Sequence, residues 1–221
     1  MATSETKEPP LSAGKLPADL LGRLLERHAA RSERLVIPPR VGEDAAVIAL
    51  EDSDRYLVVG TDPITFVTED LGHYVVTINA NDVATLGARP LFFSCVLLFP
   101  EGHPPSEVER VFSEIRRACV ESGIAWVGGH TEVTPAVTHP VAVGQMIGEV
   151  SREGLVRKER LAVGDRLLLT KALAVEAVSI IARERPDEVR ALHGEAFLER
   201  ATGFLRRPGI SVVAEALAAC S

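Results

Sequence analysis

Three aspartates stand where a carboxylate could take part in chemistry. Asp44 lies just before a strand-like run, Asp62 just after the next one, and Asp82 inside a largely apolar helical stretch. Asn79 precedes Asp82 by three residues, so their side chains share one helix face. Burying an ionised carboxylate is unfavourable unless it is paired or metal-bound. The three aspartates are therefore candidates for a Mg²⁺ site, because Mg²⁺ takes one or two carboxylates and leaves positions for water and substrate phosphates.

Each aspartate also has an ordinary interpretation. Asp44 could be a turn residue, Asp62 a turn residue before Pro63, and Asp82 the N-cap of a second helical segment. The spacing of the three residues does not decide between the two interpretations.

The segment GGHTEVTP, residues 128–135, is a second candidate for chemistry. It follows the apolar run 124–127, which predicts a glycine turn at the end of a strand. His130 could be a ligand, a catalytic base or a turn residue. A neutral imidazole is a poor ligand for Mg²⁺, which prefers oxygen, but it can contact a phosphate, especially when protonated. Lys171 is a further candidate for an anionic substrate, with a solvated lysine as the alternative.

The secondary structure that must position these residues is predicted from apolar periodicity and from the glycines and prolines that mark the ends of helices and strands. Helices are predicted over residues 16–29, 72–87, 105–122, 174–184, 187–203 and 209–219. Strands are predicted over residues 45–50, 56–61, 90–100, 124–127, 139–150 and 166–170. The first 14 residues are polar and predict a flexible tail. The charged, turn-rich stretch 151–164 predicts a domain boundary, with only one strand beyond it.

The composition of the chain argues against several classes of function. The net charge of −7 argues against general affinity for nucleic acid, which needs a basic surface. No apolar stretch approaches the ~20 residues of a membrane span, and the N-terminus lacks a signal-peptide core. Three widely spaced cysteines suggest neither a disulfide framework nor a zinc site. We therefore expect a cytoplasmic globular protein.

The ordered motifs resemble those of the AIR synthase-like (PurM-like) superfamily of ATP-dependent enzymes. Its members include aminoimidazole ribonucleotide synthetase, thiamine-monophosphate kinase, selenophosphate synthetase and the hydrogenase-maturation factor HypE, and the pattern is most similar to HypE-like proteins. The matching segments are GEDAAVI (42–48), TDPITF (61–66), NANDVATLGARP (79–90), GGHTEVTP (128–135), VAVGQMIGEV (141–150) and GDRLLLTKALAVEA (164–177).

The resemblance implies an α/β (α+β) fold in two parts. Residues 15–155 would form a PurM-like N-terminal domain with a mixed sheet and packed helices, which binds ATP and forms a homodimer. Residues 156–221 would begin a PurM-like C-terminal domain that is truncated here.

The resemblance also assigns roles to residues. The aspartates Asp44, Asp62 and Asp82 would hold Mg²⁺ on the phosphates of ATP, with Glu43 as a weaker candidate. His130 stands where relatives carry an acid, and it would act as a base or a phosphate contact. The nucleotide-binding residues would be Asn79, Asn81, Gly128, Gly129, Thr131 and Lys171.

The implied activity is attack of an amide-like or phosphate acceptor on the γ-phosphate of ATP. The acceptor would be a small molecule or a protein tail. Two alternatives stay open: a thiamine-monophosphate-kinase-like phosphotransferase, and a dimeric scaffold that has lost activity.

Overall fold

The structure is a computed structural model that describes residues 10–220. Residues 1–9 of the predicted tail lie outside this range, and residues 10–17 form neither helix nor strand. The strands are β1 (Leu35–Ile37), β2 (Ala45–Ala49), β3 (Arg55–Ile64), β4 (Arg89–Phe99), β5 (Ala125–Val133) and β6 (Val141–Ser151). The helices are α1 (Ala18–His28), α2 (Leu71–Ala84), α3 (Pro105–Ser122), α4 (Val175–Glu184), α5 (Pro186–His193), α6 (Glu195–Gly203) and α7 (Val213–Ala218).

The strands form one mixed sheet in the order β1-β2-β3-β6-β4-β5. Every neighbouring pair is antiparallel except β4 and β5, which are parallel and joined by α3. A parallel pair needs such a crossover, because a short turn cannot return the chain to the same end of the sheet. The predicted mixed α/β fold is confirmed.

One face of the sheet is covered and the other is open. On the covered face, Val58, Phe93, Leu97 and Met146 are almost fully buried in a core shared with α2 and α3. Successive side chains of a strand point to opposite faces, so their neighbours along the chain line the open face. That face carries half-buried or exposed apolar side chains: Leu57, Val59, Phe92, Val96, Val143 and Ile147.

The last helices form a small core of their own and dock on α2. The core consists of Ala182, Val189, Leu198 and Ala201. Asp70, at the N-cap of α2, accepts hydrogen bonds from Arg183 at 2.9 Å and from Arg206 at 3.0 Å. These ion pairs tie the C-terminal helices to the helix that carries Asp82.

The predicted strand 166–170 is wrong. No strand occurs among residues 152–220, and Leu167, Leu168 and Leu169 are 97, 90 and 64% exposed. A strand is stabilised by hydrogen bonds to a neighbour, and residues 10–220 supply none for this segment. The predicted helix 187–203 is also divided, because Gly194 adopts a positive φ of 82° between α5 and α6.

The predicted glycine turn in GGHTEVTP is wrong as well. β5 continues through both glycines to Val133, so the strand does not end at Gly128. A bulge at Val127 shifts its register against β4. Gly129 follows the bulge with φ 146°, and a Cβ atom there would lie 1.8 Å from the carbonyl oxygen of Cys95. The glycine therefore permits close approach of two strands.

Candidate functional site

Asp44, Asp62 and Asp82 surround one end of β3. A Cβ atom built on Gly60 would lie 3.5 Å from the carbonyl oxygen of Asp44 and 3.5 Å from the Cβ of Asp82. Asp62 lies two residues further along the same strand, on the face covered by α2. The loop before β2, the end of β3 and the middle of α2 thus bring together residues that are about twenty positions apart in the chain.

The electrostatics of these carboxyl groups show that they interact. Burial, followed by repulsion from Asp62 and Asp44, raises the pKa of Asp82 to about 7. Burial and repulsion from Asp44 also raise the pKa of Asp62. Negative charge is therefore crowded at this point, and a bound cation would relieve the repulsion.

Glu176 and Lys15 complete the local charge distribution, and neither residue was predicted from the sequence. Burial and repulsion from Asp62 raise the pKa of Glu176, which lies in the first turn of α4. The positive charge of Lys15 opposes, but does not cancel, the rise in the pKa of Asp62 and Asp82. We call Asp44, Asp62, Asp82 and Glu176 the acidic site. Glu176 lies within the segment 164–177, but only the fold reveals that α4 returns towards β3.

The acidic site fits Mg²⁺ only if water and substrate oxygens supply some of the ligands. Among residues 10–220, no three His, Cys, Asp or Glu side chains are grouped so that they could hold a metal ion by themselves. Mg²⁺ commonly uses one or two carboxylates and completes its shell with water and substrate phosphates. The carboxylate oxygens of the acidic site are hard donors of the kind that Mg²⁺ uses in this way.

Asn79 is occupied by the main chain. Its side chain is fully buried, accepts a hydrogen bond from the Asp62 N–H at 2.9 Å, and donates to the Asp62 carbonyl at 3.1 Å and the Val75 carbonyl at 2.8 Å. The Asn79 side chain therefore contacts the backbone of Asp62, which is a predicted metal ligand.

Asn81 contacts the C-terminal segment. Its amide donates to the Ile210 carbonyl at 2.9 Å and accepts from the Val212 N–H at 2.8 Å. This predicted nucleotide contact thus holds the segment before α7 against α2, next to Asp82.

Glu43 and Lys171 are held in ion pairs. The Glu43 carboxylate is 2.7 Å from Arg40 and 3.4 Å from Lys158. Lys171 lies 3.1 Å from Glu215 and donates to the carbonyl of Ser211. Each charge therefore has a partner within the chain.

His130 lies far from the acidic site. It pairs with Val96 on the open face of the sheet, and its Nε2 is 3.1 Å from Glu132 Oε2. Asp62, Gly144, Cys95 and Gly129 lie in one register row across β3, β6, β4 and β5. Three strand spacings of about 4.8 Å separate β5 from β3, or roughly 14 Å. Within one copy, His130 and the aspartates also occupy opposite faces.

The other predicted residues of β5 line a separate recess. Gly128, Gly129 and Thr131 border a cavity of about 400 Å³ at the edge of the sheet, together with His130, Phe112 and Trp126. The two aromatic rings lie 5.3 Å apart. The structure thus does not bring these residues to the three aspartates within one copy.

Comparison with known proteins identifies the domain that contains the three aspartates. Residues 42–150 match the family model described as AIR synthase related protein, N-terminal domain. This part of the chain is an AIR synthase-related domain. The matched range includes Asp44, Asp62, Asp82 and His130, and it ends at β6, whereas Glu176 lies beyond it. None of the helices within residues 10–220 is long and apolar enough to cross a membrane.

The chain is similar to two kinds of curated protein. A selenide, water dikinase of Bordetella bronchiseptica is 36% identical over 154 residues, which cover 66% of this chain and 44% of that protein. A protein of Methanocaldococcus jannaschii named as a hydrogenase expression/formation protein is 28% identical over 142 residues, covering 63% of this chain and 42% of that one. The chain spans less than half the length of these relatives that it matches.

Solved structures confirm the PurM-like fold. The hydrogenase maturation protein HypE in complex with ATP is 28% identical, with a TM-score of 0.54, and the match covers 74% of this chain and 50% of that one. Thiamine monophosphate kinase from Aquifex aeolicus has a TM-score of 0.68 at 19% identity, covering 92% and 63% of the two chains. At that identity, the kinase supports the fold alone.

Proposed function

We propose that the chain is part of an ATP- and Mg²⁺-dependent enzyme of the HypE-like, AIR synthase-related group. The observation that carries this proposal is the acidic site, three of whose four carboxylates lie inside the matched domain. Its carboxyl groups repel one another. The ATP complex of a HypE protein 28% identical to this chain supports the choice of nucleotide.

In this proposal, Asp44, Asp62 and Asp82 hold Mg²⁺ against the phosphates of ATP. The ion, when bound, supplies positive charge that neutralises the phosphate oxygens during phosphoryl transfer. The chain positions the carboxylates from two strand ends and one helix. The acceptor is an amide-like or phosphate oxygen, on a small molecule or a protein tail, which attacks the γ-phosphorus while the bond to the β-phosphate oxygen breaks and ADP leaves.

The proposal predicts that Asp62→Ala weakens Mg²⁺-dependent ATP binding by at least about tenfold, because even outer-shell partners of a metal contribute that much. Isothermal titration calorimetry with ATP and Mg²⁺ measures the effect. Asp54→Ala is the matched control, since Asp54 is exposed just before the other end of β3. Equal affinity of the wild type and Asp62→Ala would contradict the role of Asp62.

A second candidate is a reaction with selenide as the acceptor. It is favoured by the 36% identity to a selenide, water dikinase. ATP consumption that depends on added selenide would support this acceptor over an amide-like one.

The thiamine-monophosphate-kinase alternative predicts product from thiamine monophosphate and ATP. Hydrolysis of ATP above a metal-free blank would eliminate the inactive scaffold.

We also propose that the open face of the sheet is covered by a second copy of the chain. Contiguous apolar patches on a protein surface commonly mark interaction sites. The open face carries Phe92, which is 42% exposed, beside Val96 and Ile147. His130 lies on the same face, so its proposed contact with a nucleotide phosphate would be made to the site of the other copy.

The dimer proposal predicts that Val96→Lys converts a dimer into a monomer, because a charge would be buried at the centre of the interface. Sedimentation velocity measures the change. Val120→Lys is the control, because Val120 is 67% exposed on α3, away from the open face. A wild-type protein that sediments as a monomer, or a Val96→Lys variant that remains a dimer, would contradict the proposed interface.

A further inference from the structure

The main chain at Asp62 lies beyond the hydrogen-bond ladder of β2. The last pair between β2 and β3 joins Ala45 to Gly60, two residues before Asp62. Asn79 binds both the N–H and the carbonyl of Asp62, as a further strand would. A third hydrogen bond, to the carbonyl of Val75 in the preceding turn of α2, fixes the orientation of the amide.

Gly144 provides the space for this amide. It lies directly opposite Asp62 on β6. A Cβ atom at Gly144 would lie 2.3 Å from Asn79 Nδ2 and 2.8 Å from its Cγ, so any side chain there would collide with the amide. The φ of Gly144 is not positive, so its backbone does not require glycine. The reason for glycine at this position is space rather than conformation.

The contacts among Asn79, Gly144 and the Asp62 backbone oppose the repulsion between the carboxylates of the acidic site. Burial, followed by repulsion from Asp44, raises the pKa of Asp62. Without restraint, the end of β3 would relax so that the carboxylates separate. The buried amide removes that freedom, because the hydrogen bonds of a fully satisfied buried group specify one arrangement.

We propose that Asn79 is a positioning residue that fixes the backbone of Asp62 and directs its carboxylate towards Asp82, and that Gly144 is the residue that admits Asn79. This inference rests on the proposed function of the acidic site. It assigns Asn79 no direct contact with nucleotide or metal, because its amide is fully buried and bonded to the main chain.

The first measurement is amide hydrogen exchange at Asp62, which needs no ligand. In Asn79→Ala, and in Gly144→Ala, where the new methyl displaces the amide, we expect the Asp62 amide to exchange at least about tenfold faster, with the centre of β3 unchanged. Unchanged protection of the Asp62 amide in both variants would overturn the proposal.

The second measurement is a double-mutant cycle for ATP binding in the presence of Mg²⁺. We expect Asn79→Ala to weaken binding by about 10- to 100-fold. In the Asp62→Ala background the same change should have almost no further effect, because Asn79 acts through Asp62. Equal losses in both backgrounds would show a general structural role and overturn the proposal. A wild-type protein that does not bind ATP with Mg²⁺ would contradict the proposed function, while hydrogen exchange would still decide the positioning role.

Discussion

Replacing Asp82 by Asn should stabilise the metal-free protein and abolish its Mg²⁺-dependent binding of ATP. The stabilising effect follows from the raised pKa of about 7, which shows that the folded protein disfavours the ionised form of Asp82. We expect the free energy of unfolding at pH 8, with a chelator present, to rise by about 1 to 2 kcal/mol. This is less than the full shift implies, because the site keeps contact with solvent.

The pH dependence of this effect has a definite sign. Between the ordinary pKa of 3.8 and the folded value of about 7, the folded protein holds a proton on Asp82 that the unfolded chain has released. The free energy of unfolding therefore falls as the pH rises through this window and stays low above it. The wild type and Asp82→Asn should be equally stable near pH 4 and should diverge towards pH 8.

Chemical denaturation across this pH range measures the difference, and calorimetry measures the loss of ATP binding. Asp54→Asn serves as the control, because it removes an exposed carboxylate outside the acidic site. A lower stability of Asp82→Asn at pH 8 would mean that the carboxylate makes favourable contacts in the metal-free protein. That result would contradict the electrostatic description of the site.

Gly129→Ala should be the most destabilising small substitution in β5. The new methyl would lie 1.8 Å from the Cys95 carbonyl oxygen and 2.8 Å from the Cys95 nitrogen. Neither backbone atom can move without breaking the pairing of β4 with β5, so we expect a loss of more than about 3 kcal/mol or a failure to fold. Thermal or denaturant unfolding measures the loss.

Gly128→Ala is a closely matched control. Gly128 has nearly the same φ, 151° against 146° for Gly129, but nothing lies within 4 Å of a Cβ atom there. This variant carries only the backbone strain, about 1 to 2 kcal/mol. If the two variants proved equally stable, the close contact between β4 and β5 would be refuted. Gly128→Ala also provides a folded reference if Gly129→Ala does not accumulate.

The sequence predicted the helices and strands whose ends or apolar patterns are marked by their own residues. Proline at the start and glycine at the end delimit α3, and the observed range Pro105–Ser122 matches the prediction. The apolar run of β4 was equally clear. The association of Asp44, Asp62 and Asp82 could be anticipated only as one of two interpretations, because each aspartate by itself could also be a turn or cap residue.

Other features depend on partners that a linear pattern does not reveal. The leucines at 167–169 have the composition of a strand, but a strand forms only where a neighbour offers its backbone. The glycines of β5 signal a turn in isolation, whereas the Cys95 backbone determines that Gly129 belongs inside a strand. Glu176 joined the site only because α4, which Arg183 pairs to Asp70 at the start of α2, brings it close enough to Asp62 for repulsion.

We propose, above all, that the acidic site binds ATP through a divalent cation. The most direct test is calorimetric titration of ATP into the unaltered protein at pH 8, once with Mg²⁺ and once with a chelator. At this pH Asp82 is mostly ionised, since its pKa is about 7. We expect binding with Mg²⁺ and a loss of affinity of at least about tenfold without it, because only a bound cation can bridge these carboxylates to phosphates. Equal affinity under both conditions would contradict it.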